Sequence, residues 1–134
     1  MKSYNSTRAL RAAAIGVALA AGVTTARADV KDYEFQLVDK TVKTGEAVIA
    51  VRLVHKPDGK PVPDAVIFAK RLDMAPDGME SMKTTIDTMP STEPGVYKFK
   101  AAMTMEGGWQ LSLGAKVQGE TGTVESKLVL KATP

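Results

Sequence analysis

Beyond Met1, the chain has six methionines: Met74, Met79, Met82, Met89, Met103 and Met105. All of them fall within residues 74–105. A thioether is a soft, neutral donor that takes Cu(I) or Ag(I) and largely ignores hard cations. Thiolates hold Cu(I) more tightly but oxidise outside the cytoplasm, and this chain has no cysteine at all. Methionine therefore suits a site that must hold and release a soft ion in an oxidising compartment. Such a site needs few ligands, often three thioethers or thioethers with one imidazole. Met74, Met79, Met82 and Met105 are the candidate ligands. Met103, Trp109 and His55 are secondary ones: a further thioether, a ring face able to cover a cation, and the chain's only imidazole.

Each candidate also has a reading as plain structure. Met fills irregular core gaps, and Met103 is in phase with Tyr97, Phe99 and Ala101. Met82 is in phase with Ile86. Trp109 heads an apolar strand face, which favours the core over a cation lid. His55 precedes the turn Lys56-Pro57-Asp58 and reads as a solvated strand end. Met74 and Met79 resist a packing explanation, because Asp73-Met74-Ala75-Pro76-Asp77-Gly78-Met79 reads as a polar loop.

The methionines must be positioned by something, and period-two alternation supplies it. Strands are expected at 33–38, with Tyr33, Phe35 and Leu37 alternating, and at 46–54, with Ala47, Ile49, Val51 and Leu53 on one face. Lys56 to Pro61 is a turn segment. A third strand covers Val66 to Lys70, a loop covers Asp73 to Ser81, and a fourth strand runs from Met82 to Met89. Tyr97, Phe99, Ala101, Met103 and Met105 share a face before the hairpin Glu106-Gly107-Gly108. Trp109, Leu111, Leu113, Ala115 and Val117 then share another, and Val124 to Leu130 closes the chain after a turn at 119–122. Seven short strands with turn signals between them predict an all-β, immunoglobulin-like antiparallel sandwich. A small β-barrel is its competitor. If the 73–82 loop and the 106–108 hairpin share one end, the four candidate methionines converge there.

The N-terminus sets the compartment. Lys2, Arg8 and Arg11 form a positive region, Ala12 to Val23 an apolar one, and Ala26-Arg27-Ala28 a small-x-small cleavage site. Residues 1–28 thus read as a secretory signal peptide cut before Asp29. The apolar stretch is too short for a membrane span, which needs about 20 residues. Of 18 Lys and Arg, four lie in this leader, and 14 then face 15 Asp and Glu. A chain so balanced is a poor nucleic-acid binder. The expectation is one periplasmic domain, 29–134, with no stable membrane span after cleavage.

Enzyme motifs are missing: there is no Ser-His-Asp set with an elbow, no phosphate loop and no suggestive carboxylate pair. Asp73, Asp77 and Glu80 lack the spacing of a calcium loop.

Pro94-Gly95-Val96-Tyr97-Lys98-Phe99, followed by Met103-Thr104-Met105-Glu106-Gly107-Gly108-Trp109-Gln110-Leu111-Ser112-Leu113, resembles the YtkA-like domain. That domain is similar to the periplasmic part of FixH-type proteins. Its members show a Gly-x-Tyr strand, a Gly-Trp hairpin and an upstream methionine-bearing loop, whose place here is held by Arg71 to Met82. The resemblance implies an exported immunoglobulin-like sandwich associated with copper handling, heavy-metal efflux or assembly of copper-containing oxidases. It points by position at Met74, Met79, Met82, Met103, Met105 and Trp109. Two features depart from the FixH pattern: those proteins keep a transmembrane anchor, and the methionine loop here has no histidine. The reading is a non-enzymatic binding domain for Cu(I) or Ag(I) that serves an envelope efflux or metalloenzyme-assembly protein. The alternative is a metal-free module docking an envelope partner through a methionine-rich surface.

Overall fold

The computed structural model describes residues 29–134; the expected leader, 1–28, lies outside the described residues. After a 3-10 turn at Val30–Asp32 come ten strands: β1 (Tyr33–Leu37), β2 (Thr41–Lys43), β3 (Gly45–His55), β4 (Lys60–Pro61), β5 (Val66–Met74), β6 (Met79–Thr84), β7 (Ile86–Met89), β8 (Val96–Met103), β9 (Gly107–Lys116) and β10 (Val124–Thr133). They form two sheets. The first has the order β1-β3-β8-β7, with β4 beside β3, and the second β2-β10-β9-β5-β6. Among the described residues, only β2 and β10 pair in parallel. With β1, β3, β8 and β7 as strands A, B, E and D, and β5, β9 and β10 as C, F and G, this is the immunoglobulin-like layout.

The inner faces follow the alternation. Ile49, Val51 and Leu53 of β3, Phe99, Ala101 and Met103 of β8, and Trp109, Leu111, Leu113 and Ala115 of β9 are all buried. Burying each large apolar side chain stabilises the fold by roughly 1.5–3 kcal/mol. A core of this kind replaces the disulfide that the chain, lacking cysteine, cannot form.

Three features depart from the sequence reading. Short β2 and β4 are additional. The expected strand 82–89 is two strands in different sheets, β6 pairing β5 and β7 pairing β8, with the chain crossing over at Thr85. The third is the expected loop 73–81. Asp73 and Met74 are the last residues of β5, a 3-10 turn occupies only Ala75–Asp77, and β6 begins at Met79. Leu72, Asp73 and Met74 are all buried, the β5–β6 register shifts between Asp73 and Met74, and Asp73, which looks like a loop residue, is a polar group satisfied inside the fold. At the other hairpin, Met105 lies beyond the end of β8, so the buried face stops at Met103.

Candidate methionine site

The turn carrying the methionines is built from the end of β5 outward. Asp73 is only 3% exposed. Its carboxylate accepts from Arg71 Nε at 2.6 Å and from the Ala75 backbone N–H at 2.9 Å. Arg71 also donates from Nη2 to the Glu80 carbonyl at 3.0 Å, which bridges the turn. Burial pushes the Asp73 carboxyl up, but the Arg71 and Ala75 hydrogen bonds, with the charges of Arg71 and Lys127, outweigh it. The group is held below the usual carboxylate range. Pro76 suits the first turn of the 3-10 segment. Gly78 ends it in the left-handed region at φ 75°.

The turn is then fixed to the β8–β9 hairpin. Asp77 Oδ2 accepts from the Gly108 N–H at 3.0 Å. The approach is close enough to require glycine. At Gly107, where φ is 131°, a Cβ would collide with the Asp77 carboxylate and sit 3.0 Å from Met74 Cε. A Cβ at Gly108 would meet Pro76 and Asp77 at 3.0 and 3.1 Å. On the hairpin itself, Trp109 Nε1 donates to the Met105 carbonyl at 3.0 Å. Thr84 Oγ1, at the end of β6, donates to the Ala102 carbonyl at 2.6 Å. The 73–82 segment and the 104–108 hairpin therefore occupy one end of the sandwich, tied by side-chain hydrogen bonds.

The candidates separate by burial. Met74 is fully buried in the core and faces Met79 in the β5–β6 ladder. Met79 is half-buried, packed against the core from the turn side. Met82 is 38% exposed and Met105 41% exposed. Met103 is buried on β8. Trp109 is buried as well, so it serves as a core residue and a donor to Met105 rather than as a surface lid. This corrects Met74 as a loop residue: it is a core residue at the site's floor. Met79, Met82 and Met105 are the thioethers that reach solvent at this end.

His55 does not belong to the group. Gly45, at one end of β3, pairs with Met103, whereas His55 ends the same strand ten residues on. At ~3.3 Å per residue this is about 33 Å away. There its Nδ1 lies 3.1 Å from Asp58 Oδ1, and its ring centroid is 5.1 Å from that of Tyr33. Met89 likewise pairs with Lys98, well up β8 from Met103.

Among the described residues, no three His, Cys, Asp or Glu side chains gather where a metal ion could be held. The methionine end offers three solvent-reaching thioethers, donors that suit a soft monovalent ion. Sequence reasoning missed the residues that build this end: Arg71, Asp73, Asp77, Gly107 and Gly108. The Asp77-Gly78 turn was visible locally, but its bond to Gly108 spans 31 residues and leaves no local signal.

No curated protein matches this chain. Solved structures with a similar course of chain include the Lin-41 filamin domain (18% identity, TM-score 0.46, covering 78% of this chain and 93% of that one). Another is the ZirS C-terminal domain (14%, TM-score 0.47, 100% and 88%). A third is FdeC, an Escherichia coli adhesin (14%, TM-score 0.43, 80% and 32%). A family profile described as YtkA-like matches residues 27–114, which takes in the methionine turn, the hairpin and most of both sheets. The chain belongs to the YtkA-like family.

Proposed function

We propose that this protein is an exported, non-enzymatic binding domain for Cu(I) or Ag(I), using Met79, Met82 and Met105 as ligands above the buried Met74. The observation that carries the reading is the Asp77–Gly108 hydrogen bond. It ties the turn between Met74 and Met79 to the hairpin that presents Met105. Thioethers on two otherwise separate segments are thereby held at one end before any ion arrives, which lowers the ordering cost of binding. The leader-like residues 1–28 support export to the periplasm. There the domain would pass its ion to an efflux or metalloenzyme-assembly protein.

One observation favours a different reading. Met82 and Met105 are among the few large apolar side chains left exposed, as a docking surface for an envelope partner would require. Anaerobic titration of Cu(I) against a chromogenic chelator separates the two. Trp109 fluorescence serves as a second signal, because Trp109 bonds the Met105 carbonyl. Metal binding predicts one-to-one withdrawal of copper, lost when Met79, Met82 and Met105 become leucine and retained in Met74→Leu. No competition with even a weak chelator sinks the metal reading and leaves the docking one.

A further inference from the structure

We infer that Met82 and Met105 are a paired oxidation site, through which a hypohalous acid switches off soft-ion binding at this end of the sandwich. The inference deepens the proposed function and rests on it.

The methionines differ in access, with Met79 and Met89 intermediate. Met74 and Met103 are 0% and 1% exposed, whereas Met82 and Met105 stand at 38% and 41%. An oxidant must reach the sulfur lone pair, so the buried pair is shielded by the same packing that holds the sheets together. The exposed pair projects from segments fixed by Asp77–Gly108, Thr84–Ala102 and Trp109–Met105 contacts. None of these contacts uses a methionine side chain. Oxidation at Met82 or Met105 therefore leaves the fold intact, unlike oxidation of a core methionine, which disrupts its packing.

The chemistry is an oxygen transfer. A sulfur–oxygen bond forms as the O–Cl bond of hypochlorous acid breaks. The thioether sulfur gives up an electron pair, chlorine leaves as chloride, and the hydroxyl proton goes to solvent. The sulfoxide is polar and presents a hard oxygen where a soft sulfur stood, so it is a poor ligand for Cu(I) or Ag(I). Methionine sulfoxide reductases reverse the change, one for each epimer. In the loaded state the lone pairs are engaged by the ion, so the ion protects the sulfurs.

The test gives the purified protein limiting hypochlorous acid, with and without prior Ag(I), and locates the added oxygen by peptide mass spectrometry. Met82 and Met105 should oxidise first and Met79 later, while Met74 and Met103 react only once the chain is unfolded in urea. Ag(I) should slow the reaction at Met82 and Met105. The oxidised, still folded protein should hold Cu(I) roughly tenfold or more weakly in chelator competition, and reductase treatment should restore the affinity. Oxidation of Met74 or Met103 in the folded protein as fast as Met82 overturns the inference, as does an absence of protection by Ag(I). Untreated protein that binds Cu(I) and keeps its affinity after oxidation overturns the switch alone. Untreated protein that binds no Cu(I) overturns the proposed function, and the switch falls with it.

Discussion

The two ends of the sandwich use the same kinds of polar tie to different effect. At the far end, His55 meets Asp58 at 3.1 Å, and Tyr33 Oη donates to Glu120 at 2.9 Å. Tyr97 Oη there donates to the Val62 carbonyl at 2.6 Å and accepts from the Ala65 N–H at 3.1 Å. The side chains of His55, Tyr33 and Tyr97 are spent there on ties between turns and strands. At the methionine end, Asp73, Arg71 and Asp77 do the closing, and the thioethers take no part in it. The contrast lies in which ligand-capable side chains are left out of the structural bonds. One end has an imidazole already engaged, and the other has soft donors held in place by neighbours.

The sharpest way to break this contrast is through the glycines. Gly107→Ala forces a Cβ into the Asp77 carboxylate at a φ of 131°. It should cost about 2–4 kcal/mol in urea unfolding and abolish soft-ion binding. Gly59→Ala at the far end, at φ 71° with nothing within 4 Å, should cost about 1 kcal/mol and leave binding unchanged.

Met74→Ala comes next. It removes a buried side chain and should cost roughly 2–5 kcal/mol, whereas Met74→Leu conserves volume and should cost less than about 1.5 kcal/mol. The Met82→Leu and Met105→Leu changes should each weaken ion binding with little change in stability. That pattern separates the floor of the site from its ligands.

How much of this was legible in the sequence follows from the range of each signal. The inner faces of β3, β8 and β9 were readable because burial on one side of a strand imposes alternation residue by residue. Signals local to a few residues, such as Asp77-Gly78 and Glu106-Gly107-Gly108, marked the turns. Asp73 misled for a physical reason. An aspartate between Leu72 and Met74 looks like a loop residue unless its partners Arg71 and Ala75 are known, and those bonds are what permit β5 to continue through it. The division of residues 82–89 between two sheets has no sequence mark either, since no glycine or proline stands between Met82 and Met89. Met74 was misjudged with its loop, and His55 could not be placed until the β3–β8 register was known.

The pH dependence sharpens the comparison further. Asp73's carboxyl is held below its usual range, so its folded value lies under the unfolded one near 3.9. The stability it contributes is fully present above the unfolded value and is lost as pH falls through the folded one. Asp73→Asn should flatten the acid limb of a stability-against-pH profile. Asp58 is also held low, first by the Lys60 N–H, with burial opposing and His55 assisting. Because Asp58 is exposed, Asp58→Asn should change that limb much less. The smallest expected effect is that of His55→Ala, which should leave Cu(I) affinity where it was.

The most direct test of the central claim follows the methionine methyl groups by NMR in protein labelled at the methionine methyl carbon, as Ag(I) is added. Silver is redox-stable and shares the soft chemistry of Cu(I). The methyls of Met79, Met82 and Met105 should shift together and saturate at one equivalent, while those of Met89 and Met103 stay in place. Shifts at Met89 equal to those at Met82, or no saturable shift at any of the three, would contradict a thioether site at this end of the sandwich.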